Sequence, residues 1–180
     1  MKGAIRKWEA EQKYNLLREK SYRLAEGAFS VIDPSIRLEE ITDFALAQSD
    51  AWASMVAKEK APDWDWRIEL KRFRSRPRRV EVAIWQGTSL LCGLSLGRVS
   101  DKHVTATIHL LQGHPSLPPP VKGKVAQMAS DYLRIYALIC NCKVIVIDTP
   151  APALIDFYKK LGFEHEIRKG GRVLRLTQSV

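Results

Sequence analysis

The chain has 180 residues, with 29 Lys and Arg against 20 Asp and Glu, a formal charge of +9, and 46% hydrophobic residues. Those proportions fit one domain with its own core and exclude global disorder. Three cysteines at irregular spacing exclude a disulfide framework. No run approaches the roughly 18 apolar residues of a spanning helix, and residues 1–20 are charged where a signal peptide is apolar, so a cytoplasmic location is expected.

Residues 3–26 read as a helix with Ile5, Trp8, Tyr14, Leu17, Ser21 and Leu24 on one stripe and Gly27 as its stop. Asp33-Pro34 reads as a second helix start, with Ile41, Phe44, Ala45, Trp52, Met55 and Val56 keeping helical spacing to about Lys58. Ala61-Pro62-Asp63 interrupts it, and Asp63 is the expected cap of a third helix through Trp64, Trp66, Ile68, Leu70 and Phe73, which Pro77 ends.

The period then changes. Val80, Val82 and Ile84 alternate as a strand. Leu90 to Gly97 returns after a turn at Gln86-Gly87-Thr88, with Gly93 and Gly97 marking weak points or bulges. Val104 to Leu111 is a third strand. A proline-rich loop from Gln112 to Pro120 leads into a helix over 122–139, with Val125, Met128, Ala129, Tyr132, Leu133 and Tyr136 on its apolar side. Val144 to Ile147 reads as a buried central strand. Ala153 to Leu161 is a short helix, and a hairpin through Gly170-Gly171 closes the chain. Two β-helix-β passages imply an α/β sheet of mixed strand direction.

The basic excess concentrates in Arg67, Lys71, Arg72, Arg74, Arg76, Arg78 and Arg79, opposed by Glu69 alone in that run. Such a run is either a solvated helix face or a surface for a polyanion, a nucleic acid or a phosphorylated cofactor. Trp64 and Trp66 beside it are either stacking platforms for single strands or the apolar side of an amphipathic helix. Cys140 and Cys142 lack the spacing of a zinc knuckle and a second ligand pair, so no metal site is expected.

The string Leu154-Ile155-Asp156-Phe157-Tyr158-Lys159-Lys160-Leu161-Gly162-Phe163 resembles the last-helix motif of the GNAT acyltransferase superfamily, and the element order from about residue 30 resembles its fold. The resemblance implies a mixed, mostly antiparallel α/β sheet flanked by helices. It divides the chain into an N-terminal helical extension, 1–30, and an acyltransferase-like domain, 31–180. It further implies transfer of an acetyl or related acyl group from acyl-CoA, as co-substrate, to an amine, with the pantetheine arm lying between two splayed strands. Tyr158 stands where the family commonly protonates the leaving thiolate, and a backbone amide at Leu110 or Leu111 where it stabilises the oxyanion. Lys122 and Gly123 match the opening of the pyrophosphate loop, with Lys124 adding charge. Val125 and Gln127 stand where glycines are usual, and Ala151 where asparagine is frequent.

A valine there would intrude on the phosphates or push them outward. Glu81 on the first strand and His109 on the third are the candidate bases for the acceptor amine. The basic run favours an acidic or nucleic-acid-linked acceptor. The lost glycines and asparagine, with the basic run, support the alternative of a catalytically silent module that binds nucleic acid or a protein, with the N-terminal helix docking on a partner or a second copy.

Overall fold

A computed structural model describes residues 2–56 and 64–180, and side chains from residue 5 onward. Among these residues the order is α1 (Lys2–Phe29), β1 (Ile36–Glu39), α2 (Asp43–Asp50), a 3-10 turn (Ala51–Met55), α3 (Trp66–Arg74), β2 (Arg79–Gln86), β3 (Leu90–Val99), β4 (Thr105–Gly113), α4 (Val125–Ile139), β5 (Val144–Asp148), α5 (Ile155–Lys160), β6 (His165–Lys169) and β7 (Arg172–Ser179). The strands form one seven-stranded sheet in the order β1-β2-β3-β4-β5-β7-β6. Only β4 and β5 run parallel; the other neighbours are antiparallel. The expected mixed, mostly antiparallel α/β architecture is therefore what the chain adopts.

Strand alternation sorts the core onto two faces. Val80, Val82, Ile84, Ala106, Ile108, Ile145 and Ile147 point into a cluster completed by α1 and α4. Ala83, Trp85, Leu94 and Leu96 point the other way, beneath α2 and α3. The apolar side of α4, Val125, Met128, Ala129, Tyr132, Leu133 and Tyr136, is buried as its spacing predicts. Asn141 at φ 58 ends that helix in the left-handed conformation, and Cys142 N–H donates back to Ala137 O. The Gly170-Gly171 turn has both residues at positive φ, as a type I′ hairpin requires.

Several expectations near the N-terminus are corrected. Asp33-Pro34 opens no helix: Asp33 Oδ1 accepts from Ser35 N–H and Oδ2 from Gln86, an Asx turn that launches strand β1. The second helix starts instead at Thr42, whose hydroxyl accepts from Ala45 N–H. The expected Asp63 cap lies outside the described residues, and Asp65 caps α3 through Arg67 and Ile68 N–H. Gly27 does not stop α1, which continues to Phe29; Gly27 is absent from the positive-φ residues that such a stop needs.

The buried stripe of α1 is also rotated from the expected one. It runs through Tyr14, Arg18, Ser21, Tyr22, Ala25 and Phe29, while Ile5, Trp8 and Leu24 are exposed. The cause is a buried charge cluster that spacing does not reveal. Arg18 donates to the carbonyls of Pro77 and Arg79 and to Glu11. Arg79 pairs with Glu11 and with Glu81. Burying these charges is tolerable only because each is paired and hydrogen-bonded. Tyr22 and Tyr132 both donate to Glu81 O, tying α1 and α4 to the same point of β2. Among the described residues no helix is long and apolar enough to cross a membrane.

Candidate active site

The pairing of β4 with β5 stops at Ile108 with Ile147, although β4 continues to Gly113. On the other side of β4, Leu96 faces Leu110 and Gly97 faces Ile108, so His109 is one extra residue, a β-bulge. The bulge bends β4 away from β5 just where their ladder ends. Beyond it, among the described residues, β4 has no strand on its β5 side, and its amides there lack ladder partners.

A cleft of ≈ 910 Å³ occupies this gap. Leu110 and Leu111 form one wall, and Thr149, Pro150 and Ala151 the other. Tyr158 and Phe157 of α5 close one end; Gly123, Val125 and Ala126 at the start of α4 close the opposite end.

The α4 end is suited to anions. Among the described residues no side chain caps this helix, so its first amides stay free to donate and the helix dipole adds positive potential. Gly123 at φ 72 has open space around it, leaving the backbone approachable. Lys122 and Lys124 are exposed beside it. Val125 lines this end of the cleft. Its side chain is buried and turned inward over Gly93 and Gly113; a Cβ built on Gly93 would stand 2.3 Å from Val125 Cγ1. The bulk at the loop position is absorbed by a missing side chain on β3.

Tyr158 lines the opposite end and is 3% exposed. Burial pushes its phenol up to about 12, so it stays protonated at neutral pH. Its hydroxyl makes no hydrogen bond among the described residues and is left for what enters the cleft.

His109 sits at the floor of the gap with a partner that sequence reading passed over. Its Nδ1 lies 3.0 Å from Asp148 Oδ2 at the end of β5. Asp148 Oδ1 in turn accepts from Arg175 Nε at 2.9 Å. Partial burial disfavours the Asp148 carboxylate, but hydrogen bonds from Arg175 and His109 outweigh it and hold the carboxyl below its ordinary value. Burial pushes the His109 imidazole down, and Asp148 offsets only part of that. With Nδ1–H donated to an ionised carboxylate, Nε2 carries the lone pair. A signal existed in the sequence: Asp148 ends the strand that follows the α4 crossover, the edge where open α/β sheets gather ligands.

Glu81 is not brought to this site. It is 2% exposed within the Arg18–Arg79 cluster and lines neither cleft wall. The basic run also disperses. Arg67 pairs with Asp50 at 2.8 Å and Arg72 with Glu69 at 2.5 Å. Arg74 donates to Ile41 O, and Arg79 is buried. Lys71 remains exposed, while Arg76 and Arg78 turn to the far face of the sheet near His109. Trp66 is buried, its Nε1–H donating to Gln112 at 2.6 Å, and Trp64 is half-buried at the cleft rim. Cys92, Cys140 and Cys142 are buried free thiols, and burial raises each.

No family model matches the sequence, and no curated protein matches it. The arrangement of the chain does match solved structures. An acetyltransferase from Thermus thermophilus superposes with a TM-score of 0.59 at 17% identity, over 81% of this chain and 97% of that one. The chain has a GNAT-like fold. A spermidine N-acetyltransferase chimera from Vibrio cholerae is similar with a TM-score of 0.59, at 15% identity over 81% and 95% of the two chains. An aminoglycoside 6'-N-acetyltransferase, solved in complex with coenzyme A, gives 0.58 at 13% identity over 79% and 96%. At these identities the likeness concerns the GNAT fold alone.

Proposed function

We propose that the protein is an N-acyltransferase that moves an acetyl or related acyl group from acyl-CoA to an amine. The observation that carries the reading is the joint placement of an uncapped helix start, an unpaired strand edge and the His109–Asp148 pair along one cleft. The solved complex of a neighbour with coenzyme A supports acyl-CoA as the co-substrate, and the residues present fit it. Lys122, Gly123, Lys124 and the first amides of α4, from Val125 on, hold the pyrophosphate. The free edge of β4 at Leu110 and Leu111 meets the pantetheine arm and donates to the thioester oxygen as charge develops there.

The chemistry then needs a neutral amine and a protonated leaving group. The amine nitrogen bonds to the thioester carbon as the C–S bond breaks. His109 Nε2 takes the amine's proton, with Asp148 holding the tautomer and supporting the imidazolium that forms. Tyr158 gives its phenolic proton to the departing thiolate. Glu81 has no part in this scheme, because its carboxylate is occupied by Arg79 and Arg18.

Calorimetric titration of acetyl-CoA into the purified protein tests the reading. Binding in the micromolar range is expected, with thermal stabilisation by the same ligand. No binding at millimolar ligand overturns it and leaves a non-catalytic binding module.

A further inference from the structure

The sheet carries a second cleft, on the face away from α4, that also ends at His109. It has a volume of ≈ 550 Å³, the size of a small-molecule site. Its floor is the outward row of the sheet: Thr105, Thr107, His109, Val146 and Arg175. The helices α2 and α3 pack on this face mainly over β2 and β3, with Phe73 of α3 reaching the His109 ring at 5.9 Å, and the cleft lies beyond them over β4, β5 and β7. Ala10 of α1 and the α3–β2 turn close the sides.

Its charge is one-sided. Arg76, Arg78, Arg98 and Arg175 line it, and Asp101 is the acid that lines it. Asp101 engages Arg78 at 2.6 Å from a fully exposed position. Arg175 is bound to Asp148. Arg76 lies over the Phe73 ring at 5.4 Å. Arg98 has no hydrogen-bond or ion-pair partner among the described residues. Its position is favourable, because Arg98 pairs with Thr107 across the ladder and Thr107 stands two residues before His109. One strand spacing of about 5 Å and two residues of about 3.3 Å each separate the two backbones by about 8 Å. An anionic group held by Arg98 and an amine at His109 Nε2 are thus within the span of one small molecule.

We propose that this second cleft is the acceptor site of the acyltransferase, and that the acceptor is a small amine bearing a carboxylate or phosphate. The proposal rests on the acyltransferase reading for the amine's fate, but the anion site stands on its own residues. Guanidinium groups match carboxylate and phosphate by paired N–H donors. The same field opposes the polycations, spermidine and aminoglycosides, for which the structural neighbours are named. A nucleic acid is a poorer fit, since Arg67, Arg72 and Arg74 of the basic run do not converge on the cleft.

The experiment has two arms on the full chain. In the first, binding of N-acetylglutamate, N-acetylglucosamine 6-phosphate and N-acetylspermidine is measured by calorimetry, with and without CoA, for the wild type, Arg98→Ala and Arg98→Lys. One of the two anions is expected to bind and the polyamine not; which anion binds distinguishes carboxylate from phosphate. Arg98→Ala is expected to weaken that binding about 10- to 100-fold, with partial recovery in Arg98→Lys. In the second arm, CoA release is followed with glutamate, glucosamine 6-phosphate and spermidine as acceptors. Arg98→Ala should raise the acceptor KM and leave the acetyl-CoA KM unchanged.

Preferential acetylation of spermidine overturns the proposal, as does unchanged anion binding in Arg98→Ala. Binding of a transfer RNA without binding of either small anion also overturns it. Anion binding that depends on Arg98, in a protein that binds no acetyl-CoA, would uphold the anion site and sink the acyltransferase reading instead.

Discussion

Gly93 and Val125 offer a sharp test of how the cleft keeps its phosphate end open. A Cβ on Gly93 would sit 2.3 Å from Val125 Cγ1 and 3.1 Å from Gln112 O. Carbon atoms settle at about 3.5 Å or more, so Gly93→Ala displaces the α4 start by about 1.2 Å or forces the valine off its rotamer. Such overpacking costs about 1–3 kcal/mol. Val125→Ala removes two methyl groups, about 1.6 kcal/mol at about 0.8 kcal/mol each, and slightly more for the space left behind. In the double variant the new methyl enters the space that Cγ1 vacated. Its stability should therefore match or exceed that of Val125→Ala, a coupling of about 1–3 kcal/mol. Urea unfolding with an unchanged m-value measures it, and acetyl-CoA titration of the same proteins should show affinity lost in Gly93→Ala and regained in the double variant. Additivity of the two single changes within about 0.5 kcal/mol would refute the seating of Val125 over Gly93.

Further outcomes follow from the site. Tyr158→Phe should lower kcat about 10- to 100-fold while leaving acetyl-CoA affinity unchanged; equal turnover would remove Tyr158 as the acid. His109→Gln should lower kcat/KM about 100-fold or more and erase the acid limb of the pH profile. In the wild type that limb should lie below pH ~6.5, because burial lowers the imidazole and Asp148 offsets only part of it, with Arg98 and Arg175 nearby adding to the lowering; a limb above that value would exclude His109. The sign for stability is the same. The unfolded histidine binds its proton at higher pH than the folded one, so stability present above pH ~6.5 is lost as pH falls toward the folded value. Glu81→Gln should destabilise the fold by about 3 kcal/mol, since it strips a buried counter-charge from Arg79, yet leave kcat per folded molecule unchanged.

Where the sequence was informative, the residues themselves dictate period and punctuation. The alternation of Val80, Val82 and Ile84, the helical spacing from Val125 to Tyr136 and the Gly-Gly turn each admit one local structure, and the sheet followed from them. The N-terminal third was harder for a physical reason. Asp33-Pro34 suits a helix start and an Asx turn equally well, and only Gln86, far along the chain, decides between them. Arg18 reads as a solvent residue until Glu81 and Glu11 are seen to bury it. At the site, Tyr158 and the α4 start were legible because a short motif carries them. His109 was legible only as a candidate, Asp148 only through its place at the end of a crossover strand, and Arg98 not at all, since what joins them is a bulge and a register between strands distant in sequence.

The single inserted residue of β4 has a kinetic consequence. It makes the sheet a septum, with one chamber on each side and His109 lining both. On the proposed reading, donor and acceptor enter from opposite faces and never share a doorway. Neither must leave for the other to arrive, so initial-rate plots against the two substrates should intersect rather than run parallel. Free CoA can depart from its own side while the acylated amine still occupies the other.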